Sequence, residues 1–599
     1  MRLNRFFILL PAAAAAVMLY ISWLRWPEVL VDFGREIYTP WLLSEGEVLY
    51  KDIAYWNGPL SPYFHSLLFD AFGPSIFIVQ LSNLFIIGLL AVLIYRFYGR
   101  YSRFNSAPVV VTAFFVFFAF AQFFIYGNYN FASPYSHELT HGILIGFSAI
   151  CMLRAYLDRR NILIIGAIGV LTGLSLLTKI EVTLATVSSV ALSLILIIRA
   201  EAPASGRLLR MAVLFASGLI LPLLAFTLFL GFQMPLSEAV KGMFGSWMIL
   251  AGTDISAGKF YKHQMGMDDP ATNLKLMLVS SAWLSAFLVP LALDYAVRKM
   301  PSRKIISAAA FVVTAVILAY FSNKLPWFEF FRPLPLAALA AGAILFFKLL
   351  RSKPSFEAAA SEIPLFAMCV FSFILLLKIV LNVHIYHYGF ALAMPATLLF
   401  LYLALDRLPA KVEKILGSAS VFSGAALAFV AVMTVWFGME SAKVYSFKDF
   451  SISEWPDEIK TFDRFATNGA DVKQAIEYIN SELKPTDNFV ALPEGAMLNY
   501  LSRRKNPTGY INFVPSEITM YGKEPMFEKL RAARPDYIVL VHKDTSEYGY
   551  RFFGKDYAQD ILSWIESEYE PVKLIGETPF QSKAFGIMVM KRAGVEAAR

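Results

Sequence analysis

The chain has 599 residues, of which 57% are hydrophobic and 16% charged, and its net charge is +8. Soluble domains sit nearer half apolar and a quarter charged, and apolar runs long enough to cross a bilayer core recur along this chain, so a soluble enzyme is excluded and a polytopic helical membrane protein is expected. The positive charge reads as Lys and Arg held on the cytoplasmic side rather than as a nucleic-acid surface, because no basic stripe stands alone.

Met1 to Arg5 precede an apolar run to about Leu24. The run passes beyond the point where the apolar region of a signal peptide ends, so it reads as an uncleaved first span. Further candidate spans lie at 75–96, 108–126, 139–157, 161–177, 180–198, 210–231, 273–297, 304–321, 334–350, 362–382, 386–405 and 416–437, about thirteen in all. Cys151 and Cys369 both fall inside these runs, which argues against a disulfide framework or a cysteine zinc ribbon.

Basic residues then set the orientation. Arg96 and Arg100 follow the second span, Arg154 and Arg159 the fourth, Arg199 and Arg207 the sixth, Arg298 and Arg303 the eighth, Lys348 and Arg351 the tenth, Arg407 and Lys411 the twelfth. Every even-numbered exit is basic, and Arg2 and Arg5 join that side. The alternation predicts a multi-pass protein of the inner (plasma) membrane, with the N-terminus cytoplasmic and the C-terminus periplasmic or extracellular. The long segments 25–74, 232–272 and everything after about 437 are then external. No internal repeat joins the two halves, which counts against the common transporter folds.

The tail, 438–599, is expected to form an external soluble α/β domain beside a transmembrane unit, 1–437. Asp471 to Leu483 has one apolar helical face. Asn488–Leu492, Asp536–His542, Pro571–Ile575 and Phe585–Met590 read as buried strands, with a helix from Tyr557 to Tyr569 between two of them. The tail has no glycine-rich phosphate loop and no evident catalytic cluster. It reads as a lid or docking module.

The first external loop carries the densest chemistry: Val31-Asp-Phe-Gly-Arg-Glu36, then Glu45-Gly-Glu-Val-Leu-Tyr-Lys-Asp52, then Tyr55-Trp-Asn-Gly-Pro-Leu-Ser-Pro-Tyr63. Asp32 lies just beyond the first span, and Arg35 and Glu36 follow one helical turn on. A carboxylate at the membrane boundary is expensive unless hydrated, paired or functional. The plain reading makes Asp32 a helix cap, and the local sequence leaves the two readings even.

An acidic residue after the first span, a G-x-x-L-Y-x-D type loop and Gly58-Pro-Leu-x-x-Tyr63 together resemble the GT-C superfamily of polyprenyl-phosphate-sugar glycosyltransferases. The likeness is greatest to bacterial members akin to protein O-mannosyltransferases and the lipid A aminoarabinose transferase. Ser133-Pro-Tyr135, Thr178-Lys-Ile-Glu181 and His387-Tyr-Gly-Phe-Ala-Leu-Ala-Met-Pro395 extend the resemblance over most of the chain.

The resemblance implies transfer of a sugar from a polyprenyl-phosphate donor to a glycan, lipid or protein acceptor, with inversion and with Asp32 as base. The departing phosphate needs no general acid, whereas the attacking hydroxyl must lose its proton. Released phosphate needs cationic stabilisation, from Lys and Arg or from a divalent ion such as Mg, Mn or Zn. The resemblance makes Glu138 a second acidic residue. Arg35, Glu36, Tyr63, Lys179, Arg332, His387 and Tyr388 are the candidate substrate-binding residues. For Lys179 the alternatives of a phosphate clamp and of a snorkelling or Glu181-paired lysine stay equally open, as does an interfacial anchor for Tyr388. The aminoarabinose transferases carry a lysine before a Pro-Pro pair, whereas this chain has Asn57-Gly58-Pro59, so the donor phosphate contact must be made differently.

Two rival classes remain. His137-Glu138-x-x-His141 is the pattern of zinc metalloproteases, with both imidazoles on one helical face and Glu138 beside them; in a glycosyltransferase the same His137 and His141 are candidate ligands of a divalent ion, or incidental loop histidines. The other rival is a transporter of a lipid-linked substrate, which shares the spans but has no need of the first loop or the tail. The membrane domain is expected to carry re-entrant amphipathic pieces in the first loop, with Trp41, Leu42, Leu43 and the Phe64 to Phe72 stretch along the interface.

Overall fold

A computed structural model describes residues 6–102, 106–123, 130–247, 258–351, 356–463 and 468–594. Ten of its helices are long and apolar enough to cross a membrane, and three shorter apolar helices, Leu9–Ser22, Ser106–Ala119 and Leu163–Leu176, occupy three more of the expected span positions. The chain is a multi-pass helical membrane protein with a small C-terminal sheet.

The first elements are α1 (Phe6–Ser22), α2 (Phe33–Ser44), α3 (Leu60–Phe72), α4 (Ile76–Tyr101) and α5 (Ser106–Phe114). Next come α6 (His137–Arg159), α7 (Leu163–Leu176), α8 (Ile180–Glu201) and α9 (Ser205–Gly231). Small residues let α7 and α9 touch: a Cβ on Gly169 would lie 2.3 Å from Phe215 O, and one on Gly218 2.2 Å from Gly166 O, the close backbone approach that membrane helices use.

Several expected spans are irregular: the 108–126 run passes into a π-helical turn at Phe115–Ala119 and the 362–382 run into a 3₁₀ turn at Leu377–Ile379. The 273–297 run is interrupted by a 3₁₀ turn at Ser285–Phe287. Pro290, in the helix that follows, has no N–H to offer the carbonyl four residues back. The 386–405 run begins as 3₁₀ helix, Tyr388–Ala393, ahead of Pro395.

At one end of the bundle the helix termini are basic and carry ion pairs, Arg154–Asp158, Arg303–Glu413 and Lys348–Glu362, of which Arg303–Glu413 is the most exposed on both sides. The other end carries α2, α3 and the C-terminal unit. That unit holds a hairpin, β1 (Phe450–Ser451) with β2 (Lys460–Thr461), and a four-stranded sheet of β3 (Phe489–Leu492), β4 (Tyr537–Val541), β5 (Tyr569–Gly576) and β6 (Gly586–Arg592). Its order is β3-β4-β6-β5, with β3 and β4 parallel and the other pairs antiparallel. β3 and β4 are buried along their whole length, as unbroken apolar runs dictate.

The sheet unit does not stand apart from the first loop. Phe33, Ile37, Tyr38 and Trp41 of α2 share one apolar core with Met497, Leu498 and Tyr500. Gly34 makes this possible, because a Cβ there would lie 2.6 Å from Met497 N. Trp41, Leu42 and Leu43 are therefore buried, not interfacial as the sequence suggested; Trp41 meets the Tyr500 ring edge-on at 6.4 Å. The expectation holds better for α3, which keeps Phe64, Leu67 and Phe72 exposed while Ser61, His65 and Phe69 face inward.

Candidate functional site

Asp32 occupies the N-cap position of α2, yet its side chain makes no capping hydrogen bond. Its backbone, at φ 58° and ψ −58°, is sterically unfavourable for a residue with a Cβ. Such strain persists where the surroundings impose it, and it clusters at functional sites. The imposing contact comes from the C-terminal unit: the Asp32 N–H donates to Glu494 Oε1 at 3.1 Å, and Glu494 Oε2 is paired with Lys543 Nζ. Burial raises the pKa of Asp32; the Arg35 guanidinium opposes this and Glu494 adds to it.

Arg35 and Glu36, on the next turn, are buried and paired at 3.1 Å. Arg35 also lies over the Trp56 ring at 4.9 Å and reaches Tyr135 O at 3.5 Å. Glu36 Oε2 accepts from the His137 backbone N–H at 2.8 Å and faces His137 Nδ1 at 2.9 Å. Burial alone would raise Glu36, but His137 and Arg35 outweigh it and hold the carboxyl down at about 2.

His137 Nε2 lies 3.1 Å from Asn83 Nδ2. That amide also donates to Ala132 O at 3.1 Å, which fixes its orientation. His137 Nε2 is thus an acceptor and Nδ1 a donor to Glu36, so both nitrogens have partners. Glu138 is held by the Tyr55 hydroxyl and by Ser136 Oγ. His141 Nδ1 meets Ser61 Oγ at 2.9 Å. His65, which the sequence did not single out, stands with its ring 4.3 Å from His137 and 5.2 Å from His141. Arg35, Glu36, Tyr55, His65, His137 and Glu138 line one narrow cavity.

A second cluster lies beside the first. Lys179, at the turn before α8, is buried, with its ammonium 4.8 Å from the centre of the Tyr135 ring. Among the described residues its ammonium forms no ion pair and no hydrogen bond. Its sequence neighbour Glu181 is bonded instead to Lys378. Burial lowers the pKa of Lys179, and nearby Lys378 lowers it further while Glu181 and Glu138 act the other way. The Tyr135 ring also meets Tyr388 at 5.7 Å, and Lys378 lies 5.6 Å over Tyr388. Tyr135 joins the two clusters, since its carbonyl touches Arg35 and its ring carries Lys179.

The remaining candidates lie elsewhere or are otherwise engaged. Tyr63 packs edge-on against Phe229 at 5.0 Å. Arg332 pairs with Glu329 and holds Leu381 O at 3.3 Å. His387 uses both ring nitrogens locally, against Gln264 O and the Gly389 N–H, each at 2.9 Å, and stacks on Tyr388. The sequence reading missed Glu494, Lys543, Tyr55, His65 and Lys378. A lysine inside the 362–382 apolar run was a readable signal. Glu494 and Lys543 carried none, because only the fold brings them to Asp32.

The donor set fits a metal poorly. His137 has no free lone pair, and among the described residues no three His, Cys, Asp or Glu side chains are grouped to hold an ion. In comparisons with known proteins, the chain matches no family model and no curated protein.

Proposed function

We propose that this chain is a membrane glycosyltransferase that moves a sugar from a polyprenyl-phosphate donor to a glycan, lipid or protein acceptor at the face carrying the C-terminal unit, in the manner of the GT-C superfamily. The observation that supports the reading is the joining, at Tyr135, of two buried groups: Arg35, one turn from Asp32, reaches the Tyr135 carbonyl at 3.5 Å, and Lys179, which among the described residues has no counter-ion, lies 4.8 Å from its ring centre. Such a pair is costly to maintain and is what this chemistry requires. The acceptor oxygen attacks the anomeric carbon, the bond from that carbon to the phosphate oxygen breaks, and the hydroxyl proton passes to Asp32. Lys179 and Arg35 offset the charge gathering on the departing phosphate. One displacement inverts the anomeric centre.

The hydrogen bonds at His137 weigh against the zinc protease reading, because that chemistry needs His137 Nε2 free for the metal. The transporter reading leaves the strained Asp32 and its Glu494 partner without a role.

The decisive experiment is mass spectrometry of lipid-linked sugars and envelope glycans from cells with and without the protein. Loss of the protein should accumulate one polyprenyl-phosphate sugar and remove that sugar from one glycan; unchanged profiles sink the proposal. The orientation has its own check. A reporter after Met590 should be external and one at Arg159 cytoplasmic, and an external signal at Arg159 overturns the topology.

A further inference from the structure

The C-terminal unit reaches Asp32 in a way that its sequence did not announce. Glu494 accepts the Asp32 N–H at 3.1 Å across 462 residues of chain. It is nearly inaccessible, at 7% exposure, and its second oxygen is taken by Lys543. Two further contacts keep it there. Helix Ala496–Ser502, which begins two residues after Glu494, abuts Gly34 without room for a Cβ. Phe513 N–H donates to Pro493 O at 2.7 Å, tying down the residue before it. The backbone of Asp32 is strained, and this bond from Glu494 meets it at the strained residue itself.

We propose that Glu494 is a positioning residue for the transferase reaction: it holds the Asp32 main chain in the conformation that presents the carboxylate, and Lys543 fixes Glu494 in turn. The inference rests on the glycosyltransferase reading. It gives the C-terminal unit a part in the reaction beyond covering the membrane helices. Asp32 faces charge from several elements. Arg35 and Glu36 come from α2. Glu494, Lys543, Glu517 and Glu547 come from the C-terminal unit, with the Tyr548 hydroxyl beside them and Tyr135 on the membrane side. Within this set Glu494 makes Asp32 harder to ionise and Lys543 makes it easier. The two partners therefore act on the base with opposite sign.

The test uses the full-length protein in lipid vesicles with the donor and acceptor identified by the glycan comparison. Glu494→Gln keeps an oxygen for the Asp32 N–H and removes a negative charge, so the acid limb of the pH–kcat profile should move to lower pH. Lys543→Met removes a positive charge and should move the limb to higher pH. Glu494→Ala removes the acceptor, and kcat should fall roughly 10- to 10²-fold with the donor KM unchanged, the scale of a misplaced catalytic group. A purely structural contact would not move the acid limb in opposite directions. If wild type turns over, Asp32→Asn does not, and all three variants keep the wild-type profile, the inference is overturned while the transferase reading stands. If wild type transfers no sugar from any lipid-linked donor, both fall.

Discussion

The two ends of the helical bundle hold charge in different ways. At the basic end, ion pairs such as Arg303–Glu413 have both side chains about half exposed, at 51% and 47%. Pairs of that kind contribute little to stability and screen readily. Buried carboxylates occur at that end too, at Asp294, Asp406 and Glu362, but the opposite end gathers buried charges of both signs in one place. Arg35, Glu36, Glu138, Lys179 and Glu494 are all under 10% exposed, and the contact of Asp32 with Glu494 spans 462 residues of chain. Burial of charge costs free energy that a surface pair never loses. A mixed buried cluster that costs stability is the part of the molecule whose charges are expected to serve the reaction.

The largest expected effect is at Asp32. Asp32→Asn should lower kcat by about 10²–10⁴-fold, the usual worth of a positioned base, with an unchanged melting temperature, since the side chain caps nothing. Near-normal transfer by the purified variant would remove Asp32 from the mechanism. Lys179→Met should cost about 10²-fold in kcat/KM, comparable to losing one donor to a developing anion. Removing an uncompensated buried charge should at the same time leave thermal stability equal or higher, and a lower melting temperature would mark Lys179 as structural.

Gly34→Ala tests the seam between α2 and the C-terminal unit. With no space for a methyl group, the two helices must separate, and the expected destabilisation is about 1–3 kcal/mol in a denaturation experiment. Loss of activity should accompany it even where the protein remains folded. Arg303→Ala, at the opposite end, should change stability by less than about 0.5 kcal/mol and leave turnover untouched. A large effect there would erase the contrast between the two ends.

Much of the fold was legible because it depends on local pattern. Strand readings at 488–492, 536–542 and 585–590 overlie β3, β4 and β6, since buried strands are continuous apolar runs; the reading at 571–575 overlies β5, an edge strand that leaves Val572 and Leu574 exposed and is not the buried strand expected. The spans followed from length and hydropathy. Trp41 to Leu43 were misplaced because an apolar stretch looks the same whether it meets lipid or another part of the chain. The candidate site was legible in half. Asp32, Arg35, Glu36, His137 and Glu138 could be found by their position in loops and by the spacing of the motif. What His137 does could not, because its meaning depends on Asn83, 54 residues earlier, and on an amide orientation set by Ala132. Glu494 and Lys543 were beyond reach for the same reason at greater range.

The core shared by α2 and helix Ala496–Ser502 also sets a timetable for assembly. The ribosome delivers the first loop early and its partner only after more than four hundred further residues, so closing that contact carries the entropy of a very long loop. Until then the inward face of α2, with Phe33, Ile37 and Trp41, lacks the cover that Met497, Leu498 and Tyr500 supply. A nascent or truncated chain is therefore an incomplete tool with an exposed apolar flank, a form that chaperones and proteases recognise. Only a chain finished to its last strand can close around Asp32.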